Sequence, residues 1–418
     1  MTNTEFTLNR RLLVLILGTL TCLGPLAIDL YLPAMPEIAR SMGEPLGRIQ
    51  LTLSAYTIGF ALGQVVFGPL SDRYGRMKII LPGLVGYVIT NILSSMATTA
   101  NELILIRCLQ ALAGAAVMVC IPAMVRDIFP RQECAKVLSS ILLVMTVAPL
   151  AAPILGGQIL RFADWPALFW FMAAAGVVAF ALAFLLLKES LPEERRTQMN
   201  PRQLVQAYTS VLTHRQAMSC ILAHGFFFGG MFAFVSGSPF VYIELYGVPA
   251  DQYGYLFGLN ILGMGLCNFI NMRLMGRLPL KKLLRFGCYT AGVAGLILIF
   301  NAGTGFGGLA GIVVPAVMFV SCMGFTGPNS NALALENFPK IAGTANAAAG
   351  VLRFGIGGIS AGLAGLLHNG TAVPMAGLMA GCAILSVLCL TFVGGKQNVE
   401  GDADHPELEV DMPVSKAA

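Results

Sequence analysis

The chain has 418 residues, 56% of them hydrophobic and only 11% charged, with a formal net charge of +5. Soluble domains carry about a quarter charged residues, so the composition excludes a soluble domain and points to an integral membrane protein. The basic excess is spread over short loops, which excludes a nucleic-acid footprint. The ten cysteines lie mostly inside apolar segments (Cys22, Cys108, Cys120, Cys267, Cys322, Cys389) without a Cys-x-x-Cys, so neither a disulfide frame nor a metal site is expected.

Apolar runs long enough to span a bilayer occur at 12–33, 49–70, 79–98, 102–125, 136–160, 165–188, 216–242, 252–275, 283–302, 306–331, 342–367 and 371–394. Arg10 and Arg11 before the first run imitate a signal peptide, but the run is too long and eleven others follow it, so it reads as a retained anchor helix. With the N-terminus placed inside, only Arg40, Arg48 and Arg161 of the 26 Lys and Arg residues fall outside, while Arg107 and Arg353 fall within spans. The positive-inside rule then sets both termini in the cytoplasm.

The first run carries a single charge, Asp29. A charge at the bilayer centre costs roughly 2.5 kcal/mol or more, so Asp29 is a candidate for proton or ligand handling. The other reading is a wetted acid that merely ends its helix near the outer surface. Arg107 follows Glu102 by five residues, and Asp29 precedes Pro33 by four. Both are thus expected roughly 6–8 Å below the outer boundary, where they can pair. A carboxylate facing an arginine stays ionised, whereas a desolvated one takes up a proton. The pair is either a proton-coupling device or a static ion pair, and Gln110 is expected to add a polar contact in the cavity.

The longest polar interruption, 188–215, splits the spans six and six. An echo supports the division: Ile128-Phe129-Pro130-Arg131 recurs as Asn337-Phe338-Pro339-Lys340, and Gly75-Arg76 as Gly276-Arg277. Half-chain symmetry of this kind is a feature of transporters built from repeated bundles. The expected organisation is a bundle at 1–188, a cytoplasmic linker at 189–215, a second bundle at 216–394 and a disordered acidic tail at 395–418.

Between spans two and three stands Gly68-Pro69-Leu70-Ser71-Asp72-Arg73-Tyr74-Gly75-Arg76-Met77-Lys78. It resembles the GxxxDRxGR signature of the major facilitator superfamily, with Met77 where a basic residue is usual. The resemblance implies a loop that latches the inner gate, a role carried onto Gly68, Asp72, Arg73, Gly75 and Arg76. Arg107-Cys108-Leu109-Gln110-Ala111-Leu112-Ala113-Gly114 resembles the superfamily motif with an intramembrane arginine, Ala111 replacing its usual glycine. In span five, Pro149, Pro153, Gly156 and Gly157 are similar to the antiporter signature, with Ala152 replacing a glycine. Prolines bend helices and small residues allow close packing, so a simple packing kink is the competing reading.

Together with Asp29-Leu30-Tyr31-Leu32-Pro33-Ala34-Met35-Pro36, Ser238-Pro239-Phe240-Val241-Tyr242-Ile243-Glu244 and Arg353-Phe354-Gly355-Ile356-Gly357, these segments resemble the Bcr/CflA branch of drug:proton antiporters over residues 10–394. The resemblance implies an all-α, twelve-helix protein in two six-helix bundles, in a bacterial inner membrane. It further implies export of small antibiotics such as bicyclomycin, sulfonamides or amphenicols, with drugs and protons as ligands, the bilayer as surroundings and a monomeric state.

In the second half, Arg353 lies about eleven residues into its span with no acid at its depth. It binds substrate, faces Asp29 across the cavity, or hydrogen-bonds carbonyls. His224 is expected to be satisfied by wet loops near the inner end of its span, a proton relay being the alternative. Of the phenylalanines at 226–234, Phe228 and Phe232 are expected, with Asp29, Tyr31, Gln110 and Arg353, to line the substrate cavity.

Two enzyme-like motifs do not carry chemistry. Gly358-Ile359-Ser360-Ala361-Gly362 fits GxSxG but lies inside a predicted helix, without a strand-to-helix elbow. Gly303-Thr304-Gly305-Phe306-Gly307-Gly308 fits GxGxxG but follows no strand. With no P-loop or HExxH, the chain is expected to be no enzyme, to need no cofactor, and to draw on a proton gradient. Uptake or facilitated passage of a small metabolite is the alternative function.

Overall fold

A computed structural model describes residues 9–196, 201–338 and 341–390. These residues are helical, with one isolated bridge between Met275 and Leu278 and no strand among them. The first half contains α1 (Arg10–Asp29), a 3₁₀ turn (Leu32–Ala34), α2 (Met35–Met42), α3 (Leu46–Tyr74), α4 (Met77–Ser95), α5 (Ala100–Ile128), α6 (Arg131–Leu160) and α7 (Pro166–Leu186). The connecting stretch carries α8 (Pro201–Thr213), and Val211 buries itself against the second half. That half contains α9 (Arg215–Pro239), a π-helical segment (Phe240–Leu245), α10 (Ala250–Leu274), α11 (Leu280–Thr304), α12 (Gly308–Ser321), α13 (Met323–Leu335), α14 (Ala342–Leu366) and α15 (Val373–Leu388). The echo residues Pro339 and Lys340 and the acidic tail lie outside the described residues.

Among the described residues, ten helical stretches are long and apolar enough to cross a membrane, and Val147–Leu160 and Val373–Leu388 are shorter apolar helices. Their outward faces carry large apolar side chains such as Leu105, Leu266 and Phe300. Helices satisfy their own backbone hydrogen bonds, which is what spanning hydrocarbon requires.

The first stretch is longer than expected. Pro33 was expected to end it, yet the chain stays helical over Arg10–Met42. Pro33 and Pro36 each occupy the first positions of a new helical segment, where the missing N–H has no bond to lose, so they restart the helix instead of stopping it. It ends at Gly43, whose φ of 64° gives the left-handed cap. The opposite start of α5 is fixed by a capping box in which Thr99 and Glu102 bond each other's backbone N–H.

The two halves meet where α3 packs along α14 and α6 along α10. The polar links between them, Gln50 Nε2 to the Ser236 carbonyl (2.9 Å), Ser54 Oγ to the Gly358 carbonyl (2.7 Å) and the Arg161–Asp251 ion pair (3.7 Å), all lie toward the Arg161 end of the bundle. The opposite end carries Asp72.

Candidate functional site

Asp29 is the last residue of α1 and is 7% exposed. Arg107, seven residues into α5, is fully buried.

The expected pairing of Asp29 with Arg107 is not formed. Arg107 donates from Nη2 to the Ala27 carbonyl at 2.8 Å and from Nη1 to Gln110 Oε1 at 2.6 Å. Its guanidinium lies over the rings of Tyr31 (4.8 Å) and Tyr56 (4.6 Å). Helix geometry explains the result: Ala27 and Tyr31 are four apart and share a face, while Asp29, two residues from each, is on another. Asp29 makes no ion pair among the described residues, and Tyr56 together with Tyr253 of the second half lies within electrostatic reach of it. The Tyr253 hydroxyl is itself held by Ser238 at 2.8 Å.

Two residues expected to line the cavity are instead parts of its wall. Gln110 is fully buried, its oxygen used by Arg107 and its Nε2 donating to Asn91 Oδ1 at 2.7 Å. Tyr31 is also fully buried, with its hydroxyl 2.8 Å from Thr52 Oγ1. Their polar atoms already have protein partners, and both residues contact the Arg107 guanidinium.

Phe228, Phe232 and Arg353 do come together. The Phe228 and Phe232 rings lie 4.8 Å apart, and Phe354 stands edge-on to Phe228 at 5.2 Å. Phe354 reaches across to Phe60 of α3 at 4.7 Å, and Phe60 stacks on Tyr56 at 6.5 Å. The Arg353 guanidinium lies 5.4 Å from both the Phe228 and Phe354 rings. A continuous row of rings thus joins the two intramembrane arginines. Phe60 escaped the sequence reading, although its spacing of four from Tyr56 puts both on one helix face.

His224 also differs from expectation. It is 6% exposed, within α9, stacked on Phe227 and tilted against Phe228, and neither ring nitrogen has a hydrogen-bond partner among the described residues.

The GxxxDRxGR segment builds a network inside the first half. Arg76 Nη1 bonds Asp72 Oδ1 and Ser71 Oγ (2.8 Å), and Nε bonds Asp127 Oδ2 at the end of α5 (3.1 Å). Burial works against the charge of Arg76, but Asp72 and Asp127 outweigh it and hold the guanidinium above its ordinary value. The Glu189 carboxylate accepts from the backbone N–H groups of Arg76 (2.8 Å) and Met77 (3.1 Å), and Ser190 bonds Asp127 at 3.1 Å. Gly75 has φ of 104°, and a Cβ there would fall 2.5 Å from Glu189 Oε2, so only glycine fits. Arg73 lies over Tyr74 at 5.3 Å, and a Cβ on Gly68 would meet only Val119 at an ordinary 3.8 Å. Asp127, Glu189 and Ser190 were not singled out from sequence; they sit at helix ends that only the fold brings to Arg76.

The α6 segment closes the opposite end. The α6 helix runs uninterrupted through Pro149 and Pro153. A Cβ on Gly156 would strike the Leu30 carbonyl just after Asp29, and one on Gly157 would fall 2.6 Å from the Ala250 carbonyl of α10. Gly156 and Gly157 therefore let α6 touch both the Asp29 turn and the second half. Ser360 of the GxSxG match lies mid-helix beside Cys382 Sγ at 3.5 Å, with its flanking Gly358 against α3.

Comparison with known proteins agrees with this architecture. The sequence model of the Major Facilitator Superfamily matches residues 17–362. The chain is 35% identical to a bicyclomycin resistance protein homolog of Haemophilus influenzae, over 91% of this chain and 95% of that protein. It is 29% identical to a chloramphenicol resistance protein of Pseudomonas aeruginosa, over 95% and 94%. Among solved structures, a D-xylose-proton symporter superposes with a TM-score of 0.71 at 15% identity, over 92% of this chain and 97% of that one, a likeness of fold alone. Buried intramembrane charges, a loop network at one end and a glycine-sealed contact at the other thus belong to a transporter and not an enzyme: the chain is a multi-pass protein of a bacterial inner membrane and a member of the major facilitator superfamily.

Proposed function

We propose that the protein is a proton-coupled multidrug efflux antiporter that exports small antibiotics, such as bicyclomycin, sulfonamides or amphenicols, by alternating access. The observation that carries this reading is Asp29, an acid buried among membrane helices with no ion-pair partner among the described residues. The names of the resistance proteins it is similar to support the substrate class.

In this reading twelve helices form two six-helix bundles, 1–188 and 216–394, joined by a cytoplasmic linker at 189–215. Both termini, the acidic tail at 395–418 and the Asp72 end face the cytoplasm, in keeping with the distribution of Lys and Arg. With that orientation, the contacts concentrated at the Arg161 end support reading this as an inward-facing form. Asp29 takes up a proton from outside after drug release, carries it in neutral form through the transition, and gives it up inside. Its charge then favours drug binding again. Arg107 acts at a distance, gripping α1 through Ala27. The protein works as a monomer with no cofactor, the proton gradient being its energy source.

Replacing Asp29 by Asn in reconstituted vesicles tests this. Drug-driven proton release is expected to be lost and drug binding to weaken. Release that survives the change, or inverted vesicles that extrude drug instead of accumulating it, would overturn the reading.

A further inference from the structure

Beside the aromatic row lies a recess lined by His224 and Ile221 of α9, Asn331 of α13, and Asn346, Gly350 and Arg353 of α14. We propose that it is an anion subsite that takes a carboxylate group of the substrate. The inference deepens the transport reading above and rests on it for the movement of ligand, though not for its binding.

The donor set argues for an anion. Among the described residues no Asp or Glu lines the recess, and Arg353 makes no salt bridge. Its Nε is buried without a partner, as are both nitrogens of His224. An arginine in membrane surroundings is costly unless something compensates its charge, and among the described residues Arg353 has only the faces of two phenylalanine rings. A guanidinium, an imidazole and two carboxamides line the recess, and among the described residues no carboxylate does. That arrangement matches an acceptor-only group.

Size narrows the ligand further. The space amounts to about 20 Å³, enough for roughly one water-sized group. That admits a single oxygen of an anionic group such as a carboxylate. Gly350 lies against Gln64 of α3, where a Cβ would strike the Gln64 amide. An anion seated by Arg353 would therefore lie next to the contact between the halves, where it could bias their closure.

The test uses the full-length protein in nanodiscs, with naphthoate and its uncharged methyl ester as probes in equilibrium binding. Naphthoate is expected to bind more tightly than the ester. Arg353→Gln should weaken naphthoate by about tenfold or more, the usual scale for a lost charge-assisted hydrogen bond, and change the ester by less than about twofold. Asn346→Asp alters an exposed side chain, so it tests the site without disturbing the core. It supplies an internal carboxylate to Arg353 and should weaken naphthoate to a similar extent. Equal affinity for the two probes in the wild type, or equal loss of both in Asn346→Asp, overturns the subsite. Anion binding without gradient-driven export would instead remove the transport reading and leave the subsite standing.

Discussion

Phe60 of the first half and Phe354 of the second face each other with ring centroids 4.7 Å apart, tilted by 56°. Such pairs contribute about 0.5–1.5 kcal/mol beyond the area they bury. Since the rings belong to different halves, the pair stabilises the form in which they are in contact. Phe60→Ala and Phe354→Ala are each expected to raise the dissociation constant of an aromatic drug by about three- to tenfold. The double variant should cost less than the sum of the singles, because one contact is lost twice. A double-mutant cycle in binding free energy measures this, and strict additivity would show that the rings act independently.

The Arg76 network predicts a stability effect separable from transport. Asp127→Ala leaves the buried Arg76 guanidinium with one carboxylate fewer and removes the acceptor of Ser190. The loss of a partner for a buried charge costs about 3 kcal/mol, reduced here because Asp72 remains. Gly75→Ala should destabilise by a further mechanism, forcing a left-handed backbone and displacing Glu189 from two N–H groups. Thermal unfolding in detergent is expected to fall for both variants, and Glu189→Gln should fall less than Glu189→Ala because the amide oxygen still accepts.

How much of this was legible in the sequence depends on whether a feature is set along the chain or across it. The apolar segments, the buried charges and the Asp72 loop are linear, and among the described residues ten of the segments are helices long and apolar enough to span. The length of the first helical stretch was not legible, because Pro33 reads as a terminator in one dimension, whereas its place in the first turn of a 3₁₀ segment lets the helix restart. Gln110 and Tyr31 were assigned to the cavity because their types suit it. Which helix face they occupy depends on α4 and α3, whose Asn91 and Thr52 claim them. The absence of an Asp29–Arg107 pair had a readable sign, since Ala27 and Tyr31, not Asp29, share the face that meets α5.

Gly157 predicts a conformational effect at the Arg161 end. Gly157→Leu would drive α6 from the Ala250 carbonyl and Asp251 Cα, which a Cβ would approach to 2.6 and 2.8 Å. The form closed at that end should become unfavourable while the fold of each half persists. Spin labels at the exposed positions Phe162 and Tyr255 are expected to report a longer distance in Gly157→Leu than in the parent. An unchanged distance distribution would mean that α6 and α10 accommodate the side chain without separating.

His368, between α14 and α15, predicts a pH dependence. Its ring stands edge-on to Phe240 at 4.3 Å, and burial pushes its imidazole below the ordinary value, with the charge of Glu244 opposing the shift. Because the folded state disfavours the protonated ring, the stabilising contribution is complete above the ordinary histidine value, about 6.5, and is lost as pH falls from there through the lowered folded value. The wild type should therefore lose thermal stability on acidification below about pH 6.5 more steeply than His368→Phe. That variant keeps an aromatic contact with Phe240 and cannot be protonated. Glu244→Gln should steepen the loss, since it removes the only effect named here that favours the charged ring. Melting curves of the three proteins at a series of pH values measure the difference, and parallel curves for the wild type and His368→Phe would mean that the ring is not responsible.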